Sequence, residues 1–212
     1  MSAGAGTPAR APVALALTGA SGAAYGLRLL QCLLEAGERV QLLYSQAAQV
    51  VLKMEADLAL PARARDAQAL LARRYGARPG QLRVYGRQEW TAPLASGSAA
   101  PRAMVVCPAT VGVVAAIAQG HSNDLLERAA DVVLKEGRRL ILVPREMPLS
   151  AIHLENLLRL ARLGAVILPA CPGFYHRPRR VEDLVDFVVA RILDHLEVPH
   201  RLLPPWGEEG EA

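Results

Sequence analysis

The chain has 212 residues, a formal net charge of +4 and a hydrophobic fraction of 52%, with few aromatic residues. The modest charge, and arginines scattered without aromatic neighbours, give no support to a nucleic-acid surface and suit a small anionic ligand better. The three cysteines lack a CxxC spacing, which argues against a disulfide framework or a zinc site and indicates a reducing, cytoplasmic location. No apolar run is long enough to span a membrane.

The length predicts one domain of residues 13–198, with a flexible tail of residues 1–12 before it and a tail of residues 199–212 after it. Short apolar runs recur along the chain and alternate with stretches of helical spacing, such as Ala67–Tyr75 and Val181–Leu196. These runs predict strands at Val13–Leu17, Val40–Tyr44, Leu82–Tyr85, Ala103–Cys107, Leu140–Val143 and Ala165–Leu168. Strands that alternate with helices require crossover connections, so we expect helices packed on a parallel sheet.

The turn Gly19-Ala20-Ser21-Gly22 is the first candidate binding site. Ligands of parallel sheets bind beyond the carboxyl ends of the strands, and this turn follows a strand and opens a helix. Free backbone N–H groups and the positive end of the helix therefore face a ligand there. A tight turn without any ligand is the plain alternative, because the glycine spacing is not that of the dinucleotide motif GxGxxG.

Two later strand ends and one helix add polar side chains to the candidate site. Arg145 and Glu146 follow the fifth predicted strand between two prolines, although a solvated ion pair would explain them too. Tyr175 follows the sixth predicted strand, where its phenol either donates to an anion or packs under a loop. Arg128 and Lys135 are seven residues apart and share a helix face, which a solvated surface explains equally well.

The chain lacks the common sequence motifs of metal and nucleotide chemistry. It contains no HExxH, GxSxG, P-loop or DDxxD motif, the last of which holds magnesium on a diphosphate. We therefore expect no metal site, and expect any phosphate to be bound by Arg, Lys, hydroxyl and backbone donors. This donor set indicates a monophosphate. His121 and His176 have no evident partner, and we do not expect either to be catalytic.

Several segments, in unchanged order from about Val13 to Trp206, together resemble the UbiX-like flavin prenyltransferases. They are LALTGASGAAYGLRLL, the strand end at Ser45, ASGSAAPRAMVVCP, ERAADVVLKE, LILVPREMPLSAIHLENLLRL, GAVILPACPGFYHRP and EDLVDFVVARILDHL. The resemblance implies an α/β Rossmann or flavodoxin-like three-layer sandwich with a mainly parallel sheet. It implies reduced FMN as prenyl acceptor, dimethylallyl phosphate as donor, and a UbiD-type decarboxylase, as in ubiquinone biosynthesis, that receives the prenyl-FMN. It also implies a homo-oligomer, typically a dodecamer, with sites at subunit interfaces.

The resemblance also assigns residues to the two ligands by position. The flavin contacts it implies are Gly19, Ala20, Ser21, Ser45, Thr110, Val111, Gly112, Val113 and Arg145. For the prenyl phosphate it implies Tyr175 and Arg191, and the pattern is completed by Lys135, Glu146 and, from a neighbouring subunit, Arg128.

The chemistry of these side chains suits the implied reaction. Cleavage of an allylic C–O bond develops negative charge on the phosphate and positive charge on the prenyl carbons, so preorganised cations near the phosphate stabilise the transition state. The side chains that suit this role are Lys135, Arg145, Arg191 and Tyr175. Trp90 offers cation–π stabilisation to the prenyl carbons. Ser21, Glu146 and the released phosphate are candidates for moving the proton that bonding at flavin N5 and C6 displaces.

One segment departs from the family pattern and keeps two alternatives open. The family commonly shows CSTGT after the Cys-Pro pair, whereas this chain has Ala109–Val113, without two of the hydroxyls. Each loss weakens flavin binding by about tenfold or more if both hydroxyls had bonded buried flavin oxygens. The second reading is therefore an FMN-binding protein without transfer activity. The third, a related flavin-dependent cysteine decarboxylase, usually has a catalytic His near a helix start and a PxMNxxM-type segment, and we find neither.

Overall fold

Six strands, seven α-helices and two short 3-10 helices (Pro93–Ala95 and Gly97–Ala99) form in the part of the chain that the computed structural model describes, residues 10–203. The strands are β1 (Val13–Leu17), β2 (Val40–Tyr44), β3 (Leu82–Val84), β4 (Ala103–Ala109), β5 (Arg139–Pro144) and β6 (Val166–Ile167). The helices are α1 (Ala23–Glu35), α2 (Gln46–Ala56), α3 (Ala64–Tyr75), α4 (Val111–Ala118), α5 (Leu125–Lys135), α6 (Ala151–Arg162) and α7 (Val181–Leu196). Most of both predicted tails, and Trp206, lie outside the described residues.

The strands form one sheet in the order β3-β2-β1-β4-β5-β6, and every pair is parallel. This confirms the expected α/β sandwich. The strand order changes direction between β1 and β4, which is the position at which open parallel sheets leave a crevice for a ligand. In the described ranges, none of the helices has the length and apolar character that a membrane crossing needs.

Side chains at alternate strand positions belong to two hydrophobic clusters, one on each face of the sheet. In β1, Val13, Leu15 and Leu17 pack with α1, α2, α3 and α7, whereas Ala14 and Ala16 pack with α4, α5 and α6. Because both faces are covered, the strands read as continuous aliphatic runs in the sequence. The two helical layers leave the carboxyl edge of the sheet as the place where the strand-to-helix loops meet.

Four strands differ from their predicted bounds, and for β3 and β5 the difference is one residue: β3 ends at Val84, and β5 is longer by one residue at each end. β4 continues to Ala109, with a register shift after Val106, because Pro108 has no N–H to donate to a regular ladder. β6 is shorter than the predicted Ala165–Leu168, since it lies at the sheet edge and pairs with β5 alone. The N–H of Leu168 nevertheless still donates to β5.

Candidate active site

The first turn is held against its neighbours by very close backbone contacts. A Cβ atom added at Gly19 would lie 2.4 Å from the Ala47 Cβ, and one added at Gly26 would lie 2.4 Å from the Cys107 carbonyl oxygen. Gly22 adopts a φ of 109°, a conformation that other residues rarely adopt. Glycine is therefore required for β1 to enter α1 at this distance from β4 and α2.

Thr18 joins the first turn to the end of β4. Its side chain is buried, and its hydroxyl donates to the Pro108 carbonyl oxygen at 2.6 Å and accepts from the Thr110 N–H at 2.8 Å. One hydroxyl thus fixes both walls of the crevice between β1 and β4. Sequence reasoning missed Thr18, although a polar residue directly after a fully apolar strand was a usable signal.

The N-terminus of α1 is not open in the way that the sequence predicts. The N–H groups of Gly22 and Ala23 both donate to one carboxylate oxygen of Glu55, at 2.9 Å each. This corrects the expectation of free N–H groups at the start of α1. Glu55 lies on α2, and nothing in its local sequence marks it as the capping residue of another helix.

Glu55 forms a polar group with Ser21 and Arg145. The Ser21 hydroxyl is a hydrogen-bond partner of the Glu55 carboxylate, and the Arg145 Nε donates to the Ser21 carbonyl oxygen at 3.2 Å. Burial raises the pKa of Glu55, but the hydrogen bonds from Ser21, Gly22 and Ala23 and the nearby Arg145 charge outweigh burial and lower it. The carboxylate is therefore ionised at neutral pH and lies next to a hydroxyl that can relay a proton.

Ser45 lies beside the first turn because its N–H donates to the Leu17 carbonyl oxygen at 3.0 Å. The Ser45 hydroxyl caps α2 by accepting from the Ala48 N–H at 3.1 Å, which leaves its own hydrogen available for donation. Arg145 is held near the end of β4 through its N–H, which donates to the Ala109 carbonyl oxygen at 3.4 Å. The ends of β1, β2, β4 and β5 thus meet.

Thr110 directly precedes α4 and caps its N-terminus by accepting from the Val113 N–H at 3.2 Å. Val111 and Gly112 follow in the first helical turn, where N–H groups have no acceptor within the helix. A Cβ added at Gly112 would meet nothing within 4 Å, so open space lies in front of this turn. Backbone N–H groups and the Thr110 hydroxyl are therefore the hydrogen-bond donors that this segment presents to the open space.

We call Ser21, Ser45, Glu55, Thr110 and Arg145 the carboxyl-edge cluster. It combines three hydroxyls, a guanidinium, a carboxylate and a helix N-terminus around open space. Hydroxyl, N–H and guanidinium donors are those that bind a phosphate and the polar edge of a flavin. The residues present thus fit the flavin nucleotide that the resemblance implies. No group of three or more His, Cys, Asp or Glu among the described residues is arranged to hold a metal ion.

Trp90, Glu146 and Arg128 lie in segments next to this edge. Trp90 is 46% exposed in the turn that follows β3, and Glu146 is exposed directly after Arg145. Arg128 lies in the first turns of α5, where its Nε donates to the Ala95 carbonyl oxygen at 3.1 Å. The exposed Trp90 and Glu146 side chains leave this edge open to further contacts.

Lys135 lies at the opposite edge of the sheet. It is the last residue of α5, which leads directly into the start of β5, and its Nζ pairs with the Glu136 carboxylate at 2.5 Å. A five-residue strand separates the two edges by about 17 Å. One chain therefore does not bring Lys135 to the carboxyl-edge cluster.

Tyr175 and Arg191, which we call the α7 pair, lie together on the outer side of α7. The ring of His176 stacks on Phe187 with 5.5 Å between the centroids, which folds the Tyr175 loop onto the helix. Arg191 lies one helical turn beyond Phe187 on the same side and is exposed. The two residues assigned to the prenyl phosphate thus share one surface.

Arg191 of the α7 pair is separate from the carboxyl-edge cluster of the same chain. The end of α7 is fixed at the amino edge of the sheet, because Arg102, just before β4, donates to the Leu196 carbonyl oxygen at 2.9 Å. Arg191 is five residues from that end, so it lies far along the helix from the carboxyl edge. One chain therefore holds Arg191 and the carboxyl-edge cluster as two separate half-sites, while the Tyr175 loop leaves β6 at the carboxyl edge.

Comparisons with known proteins agree with the fold and the residue pattern. The Flavoprotein family model matches residues 5–193. The flavin prenyltransferase UbiX of Pseudomonas aeruginosa is 60% identical over 197 residues, which covers 93% of this chain and 94% of that protein.

Two solved structures have the same architecture. The AnUbiX (PadA1) structure in complex with FMN and dimethylallyl pyrophosphate superposes with a TM-score of 0.82 at 38% identity, covering 93% of this chain and 97% of that one. A dodecameric FMN-dependent UbiX-like decarboxylase from Escherichia coli O157:H7 gives a TM-score of 0.80 at 40% identity, covering 92% and 98%. The chain therefore belongs to the flavoprotein family and, within it, to the UbiX flavin prenyltransferases.

Proposed function

We propose that the chain is a metal-independent flavin prenyltransferase, which joins the dimethylallyl group of dimethylallyl phosphate to N5 and C6 of reduced FMN. The observation that carries this proposal is the carboxyl-edge cluster, where donors from four strand ends surround the crevice between β1 and β4. Reduced FMN, when bound, supplies the electron-rich ring atoms that accept the prenyl group. The side chains of the protein bind both ligands, exclude water and move protons.

Three parts of the carboxyl-edge cluster would hold the flavin nucleotide. The Ser45 and Thr110 hydroxyls keep a hydrogen to donate, because both cap helices as acceptors. The first turn of α4 adds backbone N–H groups, and Arg145 adds a permanent positive charge. Together these donors match an anionic phosphate and the carbonyl oxygens of a flavin.

Ser21 and Glu55 would move the proton that is released during transfer. The Ser21 hydroxyl bonds to the Glu55 carboxylate, so a proton passed to the Ser21 oxygen has an adjacent acceptor. Glu146, exposed one residue beyond Arg145, is a second acceptor at the same edge. Ser21 and Glu146 were already candidates for moving this proton from the sequence. Glu55 is a third candidate, which the sequence pattern did not indicate.

The phosphate leaves with increasing negative charge, which Lys135, Arg191 and the Tyr175 hydroxyl would stabilise. Lys135 and Arg191 lie away from the carboxyl-edge cluster of their own chain, so we propose that a second copy supplies them. Exposed apolar side chains on and around α6 support association with further copies: Met147, Ile152, Leu154, Leu158 and Leu163. We propose a homo-oligomer, a dodecamer like the Escherichia coli relative.

Two further parts of the proposal are the protein that receives the product and the cellular location of this chain. A prenylated flavin has no further use in the transfer reaction, so we propose that a UbiD-type decarboxylase receives it. A cytoplasmic location agrees with Cys32, Cys107 and Cys171, all of which are unpaired thiols.

The mass of the bound flavin tests the proposed function directly. The protein is incubated anaerobically with reduced FMN and dimethylallyl phosphate. The flavin is then released, and its mass is measured by mass spectrometry. We expect a flavin heavier by one prenyl unit, and an unchanged flavin would contradict the proposal. Tight FMN binding without a mass change would instead support the flavin-binding alternative that Val111 and Val113 motivate, and oxidation of a cysteine-ended peptide would support the cysteine decarboxylase.

A further inference from the structure

Arg191 of the α7 pair is bonded to a carboxylate on its own helix. The Nη1 of Arg191 donates to Oδ2 of Asp194 at 2.6 Å, one helical turn further along α7. The other oxygen of Asp194, Oδ1, lies 3.0 Å from Nε2 of His200, which belongs to the segment after α7. Both carboxylate oxygens of Asp194 therefore have a hydrogen-bond partner, Oδ2 with Arg191 and Oδ1 with His200.

The hydrogen bonds of His200 fix which of its nitrogens carries the proton. Its Nδ1 accepts from the Leu202 N–H at 3.4 Å, so in the neutral ring the proton lies on Nε2 and is donated to Asp194. The His200 side chain is only 14% exposed, which restricts its movement. Asp194 is thus held in place as a negative charge beside the guanidinium.

We propose that Asp194 makes the prenyl-donor subsite selective for a monophosphate over a diphosphate. The inference rests on the proposed function, in which Arg191 binds the donor phosphate. A phosphate on the remaining N–H groups of Arg191 lies within reach of the Asp194 carboxylate across a single guanidinium. Asp194 therefore repels every negative charge of the donor, and the more highly charged donor is repelled more.

The size of this discrimination follows from Coulomb's law. A phosphate monoester carries about −2 at neutral pH, and a diphosphate ester carries about one negative charge more. One extra charge about 7 Å from a carboxylate, in a partly exposed site, weakens binding by about tenfold. Loss of the Asp194 charge should therefore change the ratio of the two affinities by about that factor, whatever it does to either affinity alone.

The test measures binding of both donors to the full-length protein loaded with oxidised FMN, by titration calorimetry. Asp194→Asn keeps the shape of the side chain and an oxygen acceptor but removes the charge. We expect the wild type to prefer dimethylallyl phosphate to the diphosphate, and Asp194→Asn to reduce this preference about tenfold. Asp194→Glu, which retains the charge, should keep the preference within about threefold of the wild type.

Asp186→Asn is the matched control, because Asp186 lies on the same helix and pairs with Arg28 at 2.7 Å, away from Arg191. The Asp186→Asn variant should prefer dimethylallyl phosphate to the diphosphate by the same factor as the wild type. A wild type that binds the diphosphate equally well, or an Asp194→Asn variant with unchanged preference, would overturn the inference. Because binding needs no turnover, a protein that shows the expected preferences without transferring prenyl groups would refute the transfer step of the proposed function but not this inference, which needs only donor binding at Arg191.

Discussion

The carboxyl-edge cluster and the α7 pair are built in opposite ways. In the first, buried hydrogen bonds and close glycine contacts fix the loops of four neighbouring strands, as the bonds of Thr18 illustrate. In the second, Tyr175 and Arg191 lie on the outer side of a helix and are positioned by a ring stack and a surface ion pair. The fold fixes the carboxyl-edge cluster within one chain, whereas Arg191 and Lys135 lie away from it, and under the proposed function another copy would supply them.

Mixing of two inactive variants is the strongest test of this difference. Arg145→Ala damages the carboxyl-edge cluster and Arg191→Ala damages the α7 pair, so each should lower prenyl transfer by about a hundredfold, since each removes a charge-assisted hydrogen bond in the site. In mixed oligomers, about a quarter of the sites combine an intact cluster with an intact pair from another chain. We expect transfer to recover to about a quarter of the wild-type rate, measured by flavin mass.

The double variant, with both substitutions in one chain, is the control for mixing. Its mixture with either single variant should stay inactive, because no site then has both parts intact. If the Arg145→Ala and Arg191→Ala mixture also stays inactive, both half-sites must belong to the same chain. Flavin affinity distinguishes the two variants as well, since only Arg145→Ala should weaken it.

Adding one methyl group at Gly26 tests how tightly α1 packs against the carboxyl edge. In Gly26→Ala the new Cβ would overlap the Cys107 carbonyl oxygen and the Leu17 side chain, at 2.4 and 2.5 Å. We expect the free energy of unfolding to fall by about 2–3 kcal/mol and the Tm by about 5–10 °C. Gly112→Ala is the control, because its Cβ meets nothing and helical alanine is favoured. Equal melting temperatures for the two variants would show that α1 does not pack tightly against β1 and β4.

Glu55 makes the stability of the carboxyl edge depend on pH. The pKa of Glu55 is lowered in the folded chain, so its carboxylate stabilises the fold above the unfolded pKa and loses this effect as the pH falls through the folded pKa. Glu55→Gln should destabilise the protein at pH 7 by at most about 1 kcal/mol, because the carboxylate is exposed. Urea unfolding should show the difference at neutral pH and its disappearance well below the ordinary pKa of 4.5.

The smallest effect is expected where the sequence departs from the family pattern. Val113→Thr restores a hydroxyl, but the Val113 N–H already donates to Thr110 and the turn presents its backbone to the open space. We expect FMN affinity to change by less than about tenfold, measured by fluorescence titration. Thr110→Val, which removes the cap and a donor, should weaken binding more. A larger gain from Val113→Thr than the loss from Thr110→Val would mean that side chains, not backbone groups, bind the flavin here.

The sequence predicted the carboxyl edge well because neighbouring parallel strands must end together. Ser21, Ser45, Thr110 and Arg145 each follow a strand, so recognising the strands was enough to bring them to one edge. Glu55 was missed because it is 33 residues from the N–H of Gly22 that it caps, and no local pattern predicts such a contact. Arg191 could be named only from the resemblance, and the helix spacing that singled out Lys135 did not indicate its ligand, since a residue on a helix surface carries no sign of what approaches it from outside.

The bridge made by Thr18 also bears on how the sequence of this site can vary. While that hydroxyl holds the Thr110 N–H and the Pro108 carbonyl, it fixes the direction in which the backbone of the next turn points. A backbone N–H is the same in every amino acid except proline, so the donors of this turn do not depend on the side chains at positions 111 and 113. They depend instead on one buried hydroxyl, and even the isosteric change of Thr18 to valine would leave the Thr110 N–H without its acceptor.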